Sequence, residues 1–220
     1  MKTWLRNNGL TIALSALFLA SLIGQMVTGF SHENEERLQH GQVLISFFDF
    51  LKGGEFLSTL FENWESEFLQ MATYVVLTAY LFQRGSPESK DPDETAPQDR
   101  DPKLDEKKAT APAPVRTGGV VRVIYSHSLG LALGLLFVVS FVLHWANSFR
   151  SAVDEAEQHN QPPPELLGYL ADSRFWFESF QNWQSEFLST ALLIVLAIFL
   201  RERGSPESKP VGAPHAQTGT

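Results

Sequence analysis

The chain contains no cysteine, which excludes a disulfide-stapled secreted domain, a thiol enzyme and a thiolate-based zinc or iron–sulfur centre. It also lacks a surplus of positive charge. Seventeen Lys and Arg stand against 25 Asp and Glu, a formal charge of -8, whereas a nucleic-acid binder needs a basic face. Charge is nearly absent from four stretches, residues 10 to 30, 68 to 82, 128 to 149 and 187 to 200. Residues 84 to 121 show the opposite deficit, with almost no large apolar side chain. A mean hydropathy of -0.09 therefore averages apolar blocks against very polar ones and describes neither.

What the chain does have is an internal repeat, and self-similarity of this kind governs the fold. Shifted by 119 residues, the chain aligns with itself without a gap. Residues 61 to 90, FENWESEFLQMATYVVLTAYLFQRGSPESK, match residues 180 to 209, FQNWQSEFLSTALLIVLAIFLRERGSPESK, at 18 of 30 positions. The same offset pairs Phe56 with Phe175 and Gln25 with His144, as expected of a tandem duplication. Between the halves, Pro87, Pro92, Pro97, Pro102, Pro112 and Pro114 punctuate a polar segment that cannot bury enough surface to order itself. The expected organisation is a first two-span repeat over 1–90, a disordered linker over 91–117, a second two-span repeat over 118–209 and a disordered tail over 210–220.

Crossing roughly 30 Å of hydrocarbon takes about 20 mainly apolar residues in a helix. Residues 10 to 30 and 128 to 149 reach this length, while 68 to 82 and 187 to 200 reach it only with part of the preceding NWxSE segment. A soluble four-helix bundle should carry a charged stripe on each helix, and LLFVVSFVL and ALLIVLAIFL carry none. The first stretch follows Lys2 and Arg6 as a signal peptide would, but its counterpart lies in mid-chain, so it is read as a retained span. The predicted class is an all-α membrane protein with four transmembrane helices, two tandem two-helix repeats in parallel topology, and short interfacial helices in the outer loops. Thirteen of the 17 Lys and Arg lie in the N-terminus, the linker and the C-terminal tail, which places those three on the cytoplasmic side. An even number of spans per repeat inserts both repeats the same way up.

The order of apolar span, QHGQ or QHNQ, aromatic-rich loop, NWxSEFL, second span and RGSPESK resembles an uncharacterised bacterial integral-membrane family that carries this unit in tandem. The resemblance covers nearly all the chain outside the linker. It implies a multi-pass protein of the bacterial inner membrane and no assigned activity.

Each outer loop opens with a polar stretch of helical composition, SHENEERLQHG or SAVDEAEQHN, ending at Gly41 or Asn160, residue types suited to a left-handed C-cap. His40 and His159 follow Glu36 and Glu155 by four residues. That spacing fits either a weak metal-ligand set or, more simply, an imidazolium supporting the last helical turn. Both loops then turn aromatic, with Trp64 and Trp183 as interface anchors facing Arg84 and Arg203 at the inner boundary.

Counting turns inward from Arg84 and Arg203, Glu67 and Glu186 lie about 25 Å along the helix, roughly 5 Å inside the outer surface. Two polar clusters are expected at that level: Gln25, Asn63, Ser66 and Glu67, and His144, Asn182, Ser185 and Glu186. An ionisable group at such a depth marks a site, the blander reading being an interhelical hydrogen bond that locks a hairpin. The inner halves of the third and fourth spans carry no ionisable or amide side chain, which disfavours a proton-coupled path. The expected role is a structural or binding membrane module with an outer polar pocket, the alternative being a small transporter or channel using Glu67 and Glu186. No catalytic constellation and no cofactor are expected. The expected partners are the lipid bilayer and either a second copy or another membrane protein. RGSPESK, present twice without a difference, suggests loops that dock on each other or on a cytoplasmic partner.

Overall fold

The computed structural model describes residues 2 to 219; Met1 and Thr220, the outermost residues of the first repeat and the tail, lie outside the described residues. Every regular element among the described residues is helical. Helix α1 runs Lys2–Gln39 without proline, so the first apolar stretch and the polar SHENEERLQ segment form one continuous rod. Helix α2 is the short Phe47–Lys52, started by Ser46, whose hydroxyl oxygen accepts from the Asp49 amide at 3.2 Å. Helix α3 spans Gly54–Tyr80. In the linker, 3-10 turns at Pro97–Asp99 and Pro102–Asp105 each begin on proline, whose missing N–H costs nothing at a helix start. Helices α4, Ala113–Thr117, and α5, Gly119–Ser126, lead to α6, Ser128–Gln158. A 3-10 turn at Gly168–Ala171 precedes α7, Ser173–Phe199, capped by Asp172 accepting from the Arg174 amide at 2.8 Å.

The long first helices of the two repeats end alike. Gly41 and Asn160 take left-handed backbones with φ of 67° and 52°. Around them Gln42 N donates to Arg37 O and Gln161 N donates to Ala156 O, both at 2.8 Å, the six-residue closure of a Schellman cap. Gly85 and Gly204 are also left-handed, at 86° and 90°, but α3 and α7 have already ended at Tyr80 and Phe199, so these glycines shape the following turn rather than the helix end.

Contacts divide the chain into two units, residues 1–59 with 146–164, and residues 60–145 with 165–220. In the first unit, Phe50 from α2 is buried against Phe30 and Phe56, at ring-centre distances of 6.0 and 4.9 Å. In the second, most of α3 from the first repeat is built in with α6 and α7 from the second. Its interior is unusually polar. Glu65, Ser66, His144, Ser179 and Lys209 are all at most 2% exposed, while Leu131, Leu135, Leu188 and Leu192 face outward. Such a pattern suits a solvent of hydrocarbon, where polar contacts hold helices together and leucine meets lipid.

Three helices are long and apolar enough to cross a membrane: Thr3–Gln39, Ser128–Gln158 and Ser173–Phe199. Their most apolar windows are 0, 11 and 6% buried, leaving apolar surface far beyond what a water-soluble monomer exposes. Helix α3, the fourth expected span, is 27 residues long but falls outside this group, because Gln70, Thr73, Tyr74, Thr78 and Tyr80 interrupt its apolar run.

Candidate functional site: a buried histidine among three carboxylates

His144 lies midway along α6, and its ring is completely buried, with the ring of Phe175 at 4.9 Å. Both ring nitrogens have carboxylate partners. Nδ1 is 2.7 Å from Glu65 Oε2 of α3, and Nε2 is 3.4 Å from Glu178 Oε2 of α7. Helical spacing explains the arrangement, because Glu62 and Glu65 are three residues apart and share one face of α3. On α7, Glu178 and Asn182 are likewise one turn apart.

Each of these groups is held from behind. The second oxygen of Glu65 accepts from Trp183 Nε1 at 2.9 Å. Asn182 donates to Glu62 Oε1. Arg174 Nε donates to Glu178 Oε1 at 3.2 Å. Aromatic rings wall the cluster: Phe141 and Trp176 pack on Phe175 at 5.4 and 5.6 Å, and Trp176 and Phe180 pack on Trp183 at 6.2 and 5.3 Å. Among the described residues, Glu62, His144 and Glu178 form a group whose ligand atoms lie within 4.8 Å of one another. A low-dielectric wall strengthens every interaction inside it and makes an unbalanced charge costly.

The residues singled out in the sequence divide between this cluster and other places. His144, Asn182 and Trp183 belong to it. Glu186 does not face His144; its electrostatic neighbour is Glu67. Ser66 and Ser185 spend their hydroxyls on the Asn63 and Asn182 carbonyls of their own helices, at 2.8 and 2.9 Å. Asn63 and Glu67 are exposed, and Trp64 packs edge-on to Phe61 at 5.5 Å. Gln25 is half-buried on α1, in the other unit. His40 and His159 each place Nδ1 on the backbone carbonyl of Glu36 and Glu155, at 2.8 and 2.9 Å. Arg84 pairs with Asp93 at 2.8 Å, and Arg203 is exposed. Glu62, Glu65 and Glu178, the carboxylates that define the cluster, were not among the expected site residues.

A second polar assembly in the same unit joins the two RGSPESK loops. Lys209 is 1% exposed, and its ammonium donates to the carbonyls of Gly85, His215, Gln217 and Pro214 at 2.6, 2.9, 3.1 and 3.3 Å. The tail closes on the first loop through Thr218 Oγ1, which accepts from Gly85 N at 2.8 Å, and through Gly219 N, which donates to Ser86 O at 3.0 Å. Tyr74 donates to Glu88 at 2.7 Å, and Glu207, its counterpart in the second repeat, acts on it electrostatically. Burial, reinforced by the facing Glu207, pushes the Glu88 carboxyl above the usual carboxylate range. Burial and the nearby Arg201 push the Lys209 amine below the usual lysine range. Between α3 and α7 lies a cavity of about 250 Å³ lined by Gln70, Tyr74, Thr78, Glu88 and Thr190, among others, with Gln70 donating to Thr190 at 2.5 Å.

A family model described as a domain of unknown function (DUF6766) matches residues 1–220. No curated protein and no solved structure matches the chain.

Proposed function

We propose, for a chain that belongs to the DUF6766 family, that it is a membrane-embedded binding protein whose site is the His144 cluster near the outer face of the bacterial inner membrane. In this reading α3 is the fourth span beside α1, α6 and α7. Both termini and the linker are cytoplasmic, as the excess of Lys and Arg in those segments favours. The observation that carries the reading is the complete burial of His144 with carboxylates from two other helices on its two ring nitrogens. Charged side chains at membrane depth are costly and are retained where they do work. No reaction is assigned, because no nucleophile with an adjacent base belongs to the proposed site.

Thermal melting of the detergent-purified chain over a range of pH tests this. Glu65→Gln and Glu178→Gln should each lower the midpoint and change its pH dependence. Unchanged melting in both variants would remove the basis for the site.

A second reading, a small transporter, draws on the α3–α7 cavity, whose mainly apolar lining carries polar groups from Gln70 and Thr190 to Glu88. Proteoliposome flux separates the two readings, since a binding module moves nothing across the bilayer.

A further inference from the structure

Resting on the binding reading above, we infer that Glu62, His144 and Glu178 form a divalent transition-metal site, with Glu65 as the group that fixes the imidazole. The three ligand atoms lie within 4.8 Å of one another, and His144 Nε2 is 3.4 Å from Glu178 Oε2. Two ligands on a tetrahedral ion with bonds of about 2.1 Å stand about 3.4 Å apart. That edge is already in place.

The surroundings of the ligands carry the argument further. A metal-bound histidine almost always directs its other ring nitrogen to a carboxylate or carbonyl, which sets the tautomer and the ring plane. Glu65 occupies that position at 2.7 Å from Nδ1, and it is fully buried with its second oxygen held by Trp183. With Nδ1 carrying the proton, Nε2 is left with its lone pair toward Glu62 and Glu178. Asn182 and Arg174 donate to one oxygen of Glu62 and one of Glu178, which orients both carboxylates. Three carboxylates against one imidazole and the Arg174 guanidinium leave the cluster short of positive charge even with the ring protonated. A divalent cation supplies it.

The duplication points the same way. At the 119-residue offset, His144 corresponds to Gln25, Glu62 to Gln181, Glu65 to Gln184 and Glu178 to Thr59. Wherever the cluster has a metal-binding or carboxylate group, the counterpart is a neutral side chain: an amide at Gln25, Gln181 and Gln184, and the shorter hydroxyl of Thr59. The ligating set, drawn from both repeats, has no ionisable equivalent at the offset positions, which gives one ion per chain.

One imidazole with two carboxylates favours Zn²⁺ or Mn²⁺ over the all-oxygen preference of Ca²⁺ and Mg²⁺. The test is competition of the untagged, detergent-purified full chain against a chromophoric chelator, with Zn²⁺ and Mn²⁺ as probes and Ca²⁺ and Mg²⁺ as controls. Saturable binding of one Zn²⁺ or Mn²⁺ per chain is expected, lost in His144→Gln and in Glu178→Gln. Glu65→Gln should weaken it about 10- to 100-fold without changing the stoichiometry. His40→Gln with His159→Gln should leave it intact. Absence of saturable binding in the wild type, retention in both ligand variants, or loss on removing His40 and His159 would each overturn the site. Where Glu65→Gln and Glu178→Gln alter melting but the wild type binds neither ion, the binding reading stands and the metal assignment falls.

Discussion

Glu65 Oε2 lies 2.7 Å from His144 Nδ1, with neither side chain exposed to any degree. The contact joins α3 of the first repeat to α6 of the second, so the polar centre of the unit belongs to neither repeat alone. Removing one partner of a buried hydrogen bond to a carboxylate costs about 1 to 3 kcal/mol or more, because the other is left unsatisfied. Glu65→Leu should therefore destabilise strongly. The double variant Glu65→Leu with His144→Leu should recover part of the loss. Unfolding in mixed micelles by denaturing detergent measures both, and additive losses would show that the two residues do not interact.

Lys209 donates into a cage of four backbone carbonyls, whereas its counterpart Lys90 donates to Ala79 O and to an exposed partner, Asp99. Buried acceptors without a donor cost about 1 to 3 kcal/mol. Lys209→Met should thus loosen the two RGSPESK loops and speed tryptic cleavage at Arg84 and Lys90. Lys90→Met should change cleavage at Arg84 much less. Equal protection of Arg84 in Lys209→Met and wild type would show that the cage does not hold the loops.

The docked loops should also respond to pH. Burial and Glu207 raise the Glu88 pKa in the folded chain, so the docked form holds a proton that the released form gives up. Docking is then strongest at and below the ordinary carboxylate range and is lost as pH rises through the raised value. Proteolytic protection of this loop should increase on acidification from neutrality, and Glu88→Gln should flatten the profile. A profile that runs the other way would contradict the sign.

Gly54 tests the packing of the first unit. A Cβ there would sit 2.8 Å from the Ser151 amide nitrogen and 3.0 Å from the Asn147 carbonyl oxygen, both backbone atoms that cannot swing away. Gly54→Ala should cost about 1 to 3 kcal/mol by forced displacement. Gly134→Ala, where a Cβ meets nothing within 4 Å, should be neutral or slightly stabilising in the same denaturation measurement.

Much of the architecture was legible because it rests on local rules. Gly41 and Asn160 ended their helices as their conformational tolerance demands, and three of the four expected spans are long and apolar enough to cross. The fourth expected span, α3, is not among them, and its polar side chains Gln70, Tyr74 and Thr78 line a cavity. The site was legible only in part. His144, Asn182 and Trp183 stood out by depth or by recurrence in both repeats. Glu62 and Glu65 did not, because attention to what the repeats share passes over positions where they differ. Their exchange for Gln181 and Gln184 was the available signal. Glu178 lies before the NWxSEFL segment and becomes relevant only once α7 is placed beside α3 and α6.

The absence of cysteine makes one experiment especially clean. If the His144 cluster faces the outer side of a four-span chain, single cysteines replacing Gly41 and Asn160 should react with a membrane-impermeant thiol reagent added to intact spheroplasts. Cysteines replacing Asn8, Thr95 and Gly212 should react only after the membrane is opened. Labelling of position 95 from outside, or equal labelling of all five before and after permeabilisation, would contradict the membrane arrangement on which the depth of the site depends.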